Sequence, residues 1–251
     1  MWDRPDDLDR VSVALLTLSV ALVVYGALYW LVHQPMFGIR LVTVVDAPVH
    51  VTRRQVEDVV RRELYGNFFT LDLETSRRAF ARLPWVREAS LERRWPDALE
   101  VRIVEQQAVA VWQDGGLVNR EGDVFQGASD ADLPLFAGPD GSSRRVAERF
   151  AAIRAELAGV GLVPRSIELS ARHAWSIEVQ SGPRIELGRG TDLAALRRFV
   201  DAYPMHVEPL LPRLAQIDLR YRNGFALRSR DGKPLTLPGR APSGAAAVRK
   251  T

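Results

Sequence analysis

The stretch 86–105, VREASLERRWPDALEVRIVE, decides how this chain folds. It reads as two strands, Val86–Arg94 and 99–105, joined by Trp95-Pro96-Asp97-Ala98. Proline pre-sets the backbone angle at the second position of a type I turn, and aspartate suits the position after it. In the second run Leu99, Val101 and Ile103 alternate with Glu100 and Arg102, the mark of a half-buried strand. Upstream, Pro84 stops a short helix over about 72–82 whose Leu73, Phe80 and Leu83 point inward. A longer helix opens at Thr52, where Thr-Arg-Arg-Gln has capping-box spacing and Val56, Val59, Val60 and Leu64 form a stripe. Gly66-Asn67 separates the two helices, and 39–45 is a further strand signal. The order is strand, helix, helix, strand, strand. Each element has one apolar face to bury, so the two helices are expected to cover one face of a three-stranded sheet.

Toward the N-terminus, 11–32 (VSVALLTLSVALVVYGALYWLV) carries no charge over 22 residues. As a helix it spans about 33 Å, against about 30 Å of hydrocarbon. Its twelve Leu and Val residues favour insertion by roughly 4–7 kcal/mol. Tyr25, Tyr29 and Trp30 gather at its far end, where amphipathic rings sit at headgroup level. A cleaved signal peptide has a shorter apolar region and a small-residue cleavage site, and neither occurs here. An uncleaved anchor is expected, after a leader at 1–10. Arg4 and Arg10 precede the span and only Arg40 closely follows it, a bias toward a cytoplasmic N-terminus.

Beyond 107 the texture changes to short strands cut by Gly, Asp and Asn, at 109–112, 117–119, 124–126, 133–136, 166–170, 175–180 and 184–188. A helix at 143–158 carries Val146, Phe150, Ile153 and Leu157 on one stripe. Another follows Asp192, its expected cap, with Leu193, Leu196, Phe199, Val200 and Tyr203 inward. The last strands, 214–222 and 225–230, are expected to meet at Asn223-Gly224 in a tight hairpin. The fold class is therefore α+β: one transmembrane helix, a β-α-α-β-β domain over 37–106, and a mostly antiparallel sheet domain with helices over 107–230. The segment 231–251, rich in Pro, Gly and Ala, is expected to be disordered.

The 251 residues hold 34 Lys+Arg against 31 Asp+Glu and no cysteine. Disulfides, cysteine-held metals and thiol nucleophiles are excluded. The charges are mixed, without the basic stripe of a nucleic-acid binder. His33, His50, His173 and His206 lack metal-ligand spacing, and neither a G-x-S-x-G elbow nor an S-x-x-K pair occurs. Gly188-Arg189-Gly190 lacks phosphate-loop spacing, and Glu100 and Glu105, five apart on a strand, face opposite ways. No enzyme activity, cofactor, metal or small-molecule substrate is expected.

Several stretches, in their order and spacing, carry a family likeness. They are Leu83-Pro84-Trp85-Val86, Arg94-Trp95-Pro96-Asp97 with Val104-Glu105, Ala108 to Trp112, Leu187-Gly188-Arg189-Gly190, and Ile217-Asp218-Leu219-Arg220-Tyr221 with Asn223-Gly224. Together with the leader and anchor, they make the chain resemble the bacterial FtsQ/DivIB family of cell-division proteins, and 37–106 resemble its POTRA domain. The resemblance implies a single-pass type II inner-membrane scaffold at the division septum, with periplasmic POTRA and β-domains and no catalysis. It implies FtsB and FtsL as chief partners, with FtsK, FtsW, FtsI and FtsN as others. The family's FtsB-binding surface maps to Tyr221 and Gly224, with Arg220 beside them, Arg172 at a nearby strand start and Phe225 on the final strand. Ser229 stands where some relatives carry an aromatic. A final strand at a sheet edge could accept a partner's strand. On that basis Tyr221→Ala and Phe225→Ala are both expected to weaken binding without lowering stability. The rival readings are a membrane-tethered periplasmic hydrolase, which needs a clustered nucleophile or carboxylate pair, and a POTRA-type secretion chaperone, which would feed an outer-membrane barrel.

Overall fold

The computed structural model describes residues 5–46, 48–180, 182–190, 192–222, 224–233 and 235. The leader's first four residues, Asn223 of the expected turn and nearly all of the expected tail lie outside them. The chain divides into two compact units, 1–106 and 107–251.

The first unit begins with α1, Pro5–Val32, an apolar helix that starts inside the expected leader. Proline is well placed there, because the first turn leaves its amides unbonded in any helix. A 3-10 turn, Pro35–Phe37, follows. Then come β1 (Leu41–Val45), α2 (Arg53–Glu63), α3 (Leu73–Ala81), β2 (Val86–Arg94) and β3 (Ala98–Glu105). The sheet order is β1-β3-β2, with β3 parallel to β1 and antiparallel to β2. The capping box at α2 is present in full: Gln55 N–H donates to Thr52 Oγ1, and the Gln55 side chain accepts from Thr52 N–H. Asp72 caps α3 through the amides of Glu74 and Thr75.

The core of this unit contains Val56, Phe80, Ala89, Leu99, Val101 and Ile103. Leu73 and Leu83 are only half-buried; Ser76 and Ala79 lie under the helix instead, because small residues let α3 approach the sheet. The β2–β3 connection also departs from expectation. Its Trp95-Pro96 peptide is cis, which the composition of the turn did not announce. Proline is the residue at which that alternative is accessible.

Glu105, at the far end of β3, holds the loop before α2. Its carboxylate accepts the amides of Val49, His50 and Val51 at 3.2, 2.7 and 2.8 Å. The His50 ring stacks on Trp85 at 3.8 Å, and Trp85 enters β2 with a left-handed φ of 69°.

The second unit contains β4 (Ala108–Trp112), β5 (Leu117–Asn119), β6 (Val124–Phe125), β7 (Leu135–Ala137), α4 (Ser143–Ala158), β8 (Pro164–Leu169), β9 (Trp175–Val179), β10 (Arg184–Gly188), α5 (Ala194–Ala202), β11 (Leu214–Asp218) and β12 (Ala226–Ser229). They form one nine-stranded sheet in the order β12-β11-β10-β9-β8-β7-β4-β5-β6. The β10–β11, β4–β7 and β7–β8 pairs are parallel and the rest antiparallel. The stripe Val146, Phe150, Ile153 and Leu157 of α4 and the stripe Leu196 and Phe199 of α5 are buried in a core shared with Ile167, Ile177, Ile185 and Ile217.

Two local expectations fail here. Leu193, not Asp192, occupies the N-cap position of α5, and among the described residues no side-chain hydrogen bond caps that helix. The tight hairpin is also absent. The β11–β12 ladder ends at Asp218↔Ala226, leaving seven residues between them. Beyond that pair Leu219 N–H continues the parallel ladder to β10 at Glu186 O, 2.8 Å, while the next amide on the β12 side, that of Arg220, is taken up locally by Asp218 Oδ1 at 3.0 Å.

Candidate partner-binding groove

The stretch after β11 is shaped by Arg220 folding back on its own strand. Its Nε and Nη2 reach Asp218 Oδ1 and Oδ2 at 2.8 and 2.6 Å, and its N–H donates to Oδ1 at 3.0 Å. Arg220's hydrogen bonds hold the Asp218 carboxyl below its usual range, against an opposing effect of partial burial. The Asp218 hydrogen bonds and charge raise the Arg220 guanidinium above its ordinary value.

Gly188, at the end of β10, lies under the stem of that arginine. It adopts a φ of +74°, and a Cβ built on it would stand 3.0 Å from Arg220 Cγ. The next residues are held from α4. Arg149 Nη2 donates to the carbonyls of Gly190 and Asp192 at 3.0 and 3.1 Å, while its guanidinium lies 5.7 Å from the Trp175 ring centroid. Burial lowers the Arg149 pKa.

These contacts build an open groove of about 460 Å³, lined by Arg172, Arg189, Asp192, Arg198, Arg220, Tyr221 and Arg222 among others. Among the described residues of its lining, five arginines face one aspartate. The structure thus brings together three residues singled out from sequence, Arg172, Arg220 and Tyr221. Arg172 sits in the turn between β8 and β9, not at a strand start. Tyr221 is 58% exposed. Gly224 is exposed, with open space where a side chain would stand. Arg189, Arg198 and Arg222 were not singled out. Arg198 lies off the apolar stripe of α5, which marks it as exposed, but only the fold shows which groove that face borders.

Phe225 plays a different part from Tyr221. It is half-buried, and its ring meets Phe199 edge-on at 5.7 Å, so it packs against the core of its own unit. The expectation that its loss would spare stability is therefore corrected. Alongside it runs β12, which among the described residues pairs only with β11 and so forms a sheet edge. Arg230 N–H donates to Arg213 O at 2.8 Å. Backbone groups alternate sides along a strand, so Ala226 and Arg228 face β11 while Leu227 and Ser229 present theirs to the open edge. A second groove of about 640 Å³ follows this edge, lined by Phe225, Leu227, Ser229, His206 and Leu235.

Comparison with known proteins agrees with the resemblance. Residues 37–106 match the FtsQ-type POTRA domain, and residues 110–220 match the C-terminal domain of cell division protein FtsQ/DivIB. The chain is 39% identical to the cell division protein FtsQ of Nitrosospira multiformis, over 91% of this chain and 99% of the relative. It is 35% identical to that of Burkholderia pseudomallei, over 94% and 97%, and 32% identical to that of Bordetella pertussis, over 90% and 92%. The apolar α1 and these relatives together fit a single-pass inner-membrane protein. By two domain matches in the expected order and relatives covering nearly its full length, the chain belongs to the FtsQ/DivIB family of cell-division proteins.

Proposed function

We propose that the chain is a divisome scaffold without catalytic activity, with a cytoplasmic N-terminus and both folded units in the periplasm at the septum. Its chief partner is the FtsB–FtsL pair; FtsK, FtsW, FtsI and FtsN are further divisome contacts. The observation that carries this reading is the meeting of an arginine-lined groove, an exposed Tyr221 and an open strand edge on one unit. An acidic partner segment would neutralise Arg172, Arg189 and Arg222, while its backbone continues the sheet beside β12. Arg220 is already paired with Asp218, so it acts mainly by shaping the groove wall.

The test is titration of the full chain, in detergent, with the FtsB–FtsL complex at several salt concentrations. Arg172→Glu and Arg222→Glu should each weaken binding and flatten its salt dependence. Unchanged binding by both variants, with circular dichroism preserved, would falsify the groove as the site.

A further inference from the structure

The end of the first unit nearest α1 carries exposed aromatic rings tied directly to the exit of that helix. Val32, the last residue of α1, offers a carbonyl with no intrahelical partner, as helix ends do. Asn67 Nδ2 donates to it at 2.6 Å. The same side chain accepts the amides of Phe69 and Thr70, both at 3.0 Å, and so shapes the loop between α2 and α3. A second tie links Phe68 N–H to Phe37 O at 2.8 Å, and a third links Arg40 N–H to Asp97 O at 2.9 Å. Through these bonds the helix exit, the 64–72 loop and the β2–β3 turn form one end of the unit.

Rings interlock across that end. Phe37 meets Phe69 at 5.1 Å, Phe69 meets Phe68 at 5.3 Å, and Phe68 meets Trp95 at 5.7 Å. Phe68 is covered, yet Trp95 is 70%, Tyr65 73% and Met36 66% exposed. Apolar surface of this kind gathered at one place marks a contact, and its position identifies the occupant. The apolar part of α1, Arg10–Val32, has the length of the hydrocarbon layer, which puts Val32 at its boundary. A loop bonded to Val32 lies in the headgroup region, a layer about 5–8 Å thick on each side. Tryptophan and tyrosine favour that layer because each has an apolar body and a polar tip.

We propose that this end of the POTRA unit is seated in the lipid headgroup layer, with Trp95, Tyr65, Phe69 and Met36 immersed and Arg40 beside them for lipid phosphate. The proposal rests on α1 spanning the membrane. Its consequence is a fixed attitude: the sheet stands on its β2–β3 turn, and the Glu105 end of β3 points away. That strand of eight residues sets the far end about 23 Å higher.

The chain lacks cysteine, so single-cysteine variants of the full protein can carry a nitroxide without background. The variants are Trp95→Cys, Phe69→Cys and Pro96→Cys, the last keeping every ring. References are Leu22→Cys inside the span and Val49→Cys, 85% exposed, in the loop held by Glu105. Each labelled, folded variant is reconstituted into protein-free phosphatidylcholine vesicles, and collision with dissolved oxygen and a water-soluble relaxant is compared. The labels at 95, 69 and 96 are expected to meet the aqueous relaxant several-fold less than the label at 49, and the label at 22 hardly at all. If the three match position 49 while 22 stays protected, the proposal is overturned, and a protein partner is then what covers the patch. If 22 is also open to the aqueous relaxant, the spanning reading falls and this proposal with it.

Discussion

Gly188 and Arg220 are packed so closely that a single added methyl group would press on the arginine stem, at 3.0 Å from its Cγ. This contact explains why two separate stretches of the sequence, Leu187 to Gly190 and Ile217 to Tyr221, belong to one feature. Gly188→Ala meets that stem in a left-handed backbone conformation, which costs about 1–2 kcal/mol for a residue with a side chain. It should lower the thermal midpoint and also weaken FtsB–FtsL binding, because Arg220 is pushed from Asp218. Binding at wild-type strength in a destabilised Gly188→Ala protein would separate the groove wall from recognition.

Tyr221 and Phe225 should part company on mutation. Tyr221→Ala removes an exposed ring, so the melt should stay near wild type while binding falls at least tenfold, about 1.4 kcal/mol. Phe225→Ala removes a ring packed on Phe199, and should cost about 2 kcal/mol of stability whatever it does to binding. Calorimetry and binding on the same samples check both halves.

A proline scan of β12 reads the open edge directly. Ser229→Pro removes an amide that faces away from β11, so binding should be lost while the fold is kept. Ala226→Pro removes an amide facing Asp218 in the ladder, and should lower the thermal midpoint. Equal stability loss in the two variants would contradict this β11–β12 register.

Glu105 should govern the acid limb of the POTRA unit. Burial pushes its carboxyl up, but hydrogen bonds from the His50 side chain and the amides of His50, Val51 and Val49 outweigh that and bring it below its ordinary 4.5. A lowered folded-state value stabilises the fold above about pH 4.5, and that share is lost as pH falls through the folded value. Glu105→Gln should thus be about 1–2 kcal/mol less stable at neutral pH and lose less on acidification. Urea titrations across that range, followed by amide signals of β3, would show the two curves converging at low pH.

Topology has its own check. A periplasm-active reporter fused after Asp231 should be active, and a cytoplasm-active one there silent. The reverse pattern would remove the orientation and the divisome reading together.

The sequence by itself determined the helices and most strands, because their signals are local. Capping at Thr52, the stripe through Val146 and Leu157 and the alternation of Leu99, Val101 and Ile103 each depend on residues a few positions apart. The anchor was legible for the same reason: length and absence of charge are properties of one segment. Only the tertiary structure decided where β1 pairs, since a parallel partner 57 residues away leaves no trace in either strand. It also ended the last hairpin early, because the Arg220 amide on the β12 side is taken by the Asp218 carboxylate, and it separated Phe225, packed against the core, from Tyr221 at the surface. The groove arose in the same way. Its arginines come from the β8–β9 turn, the end of β10, α5 and the stretch after β11, and no spacing rule links four such places. Long-range packing brings them to one face, and that is information a linear pattern does not hold.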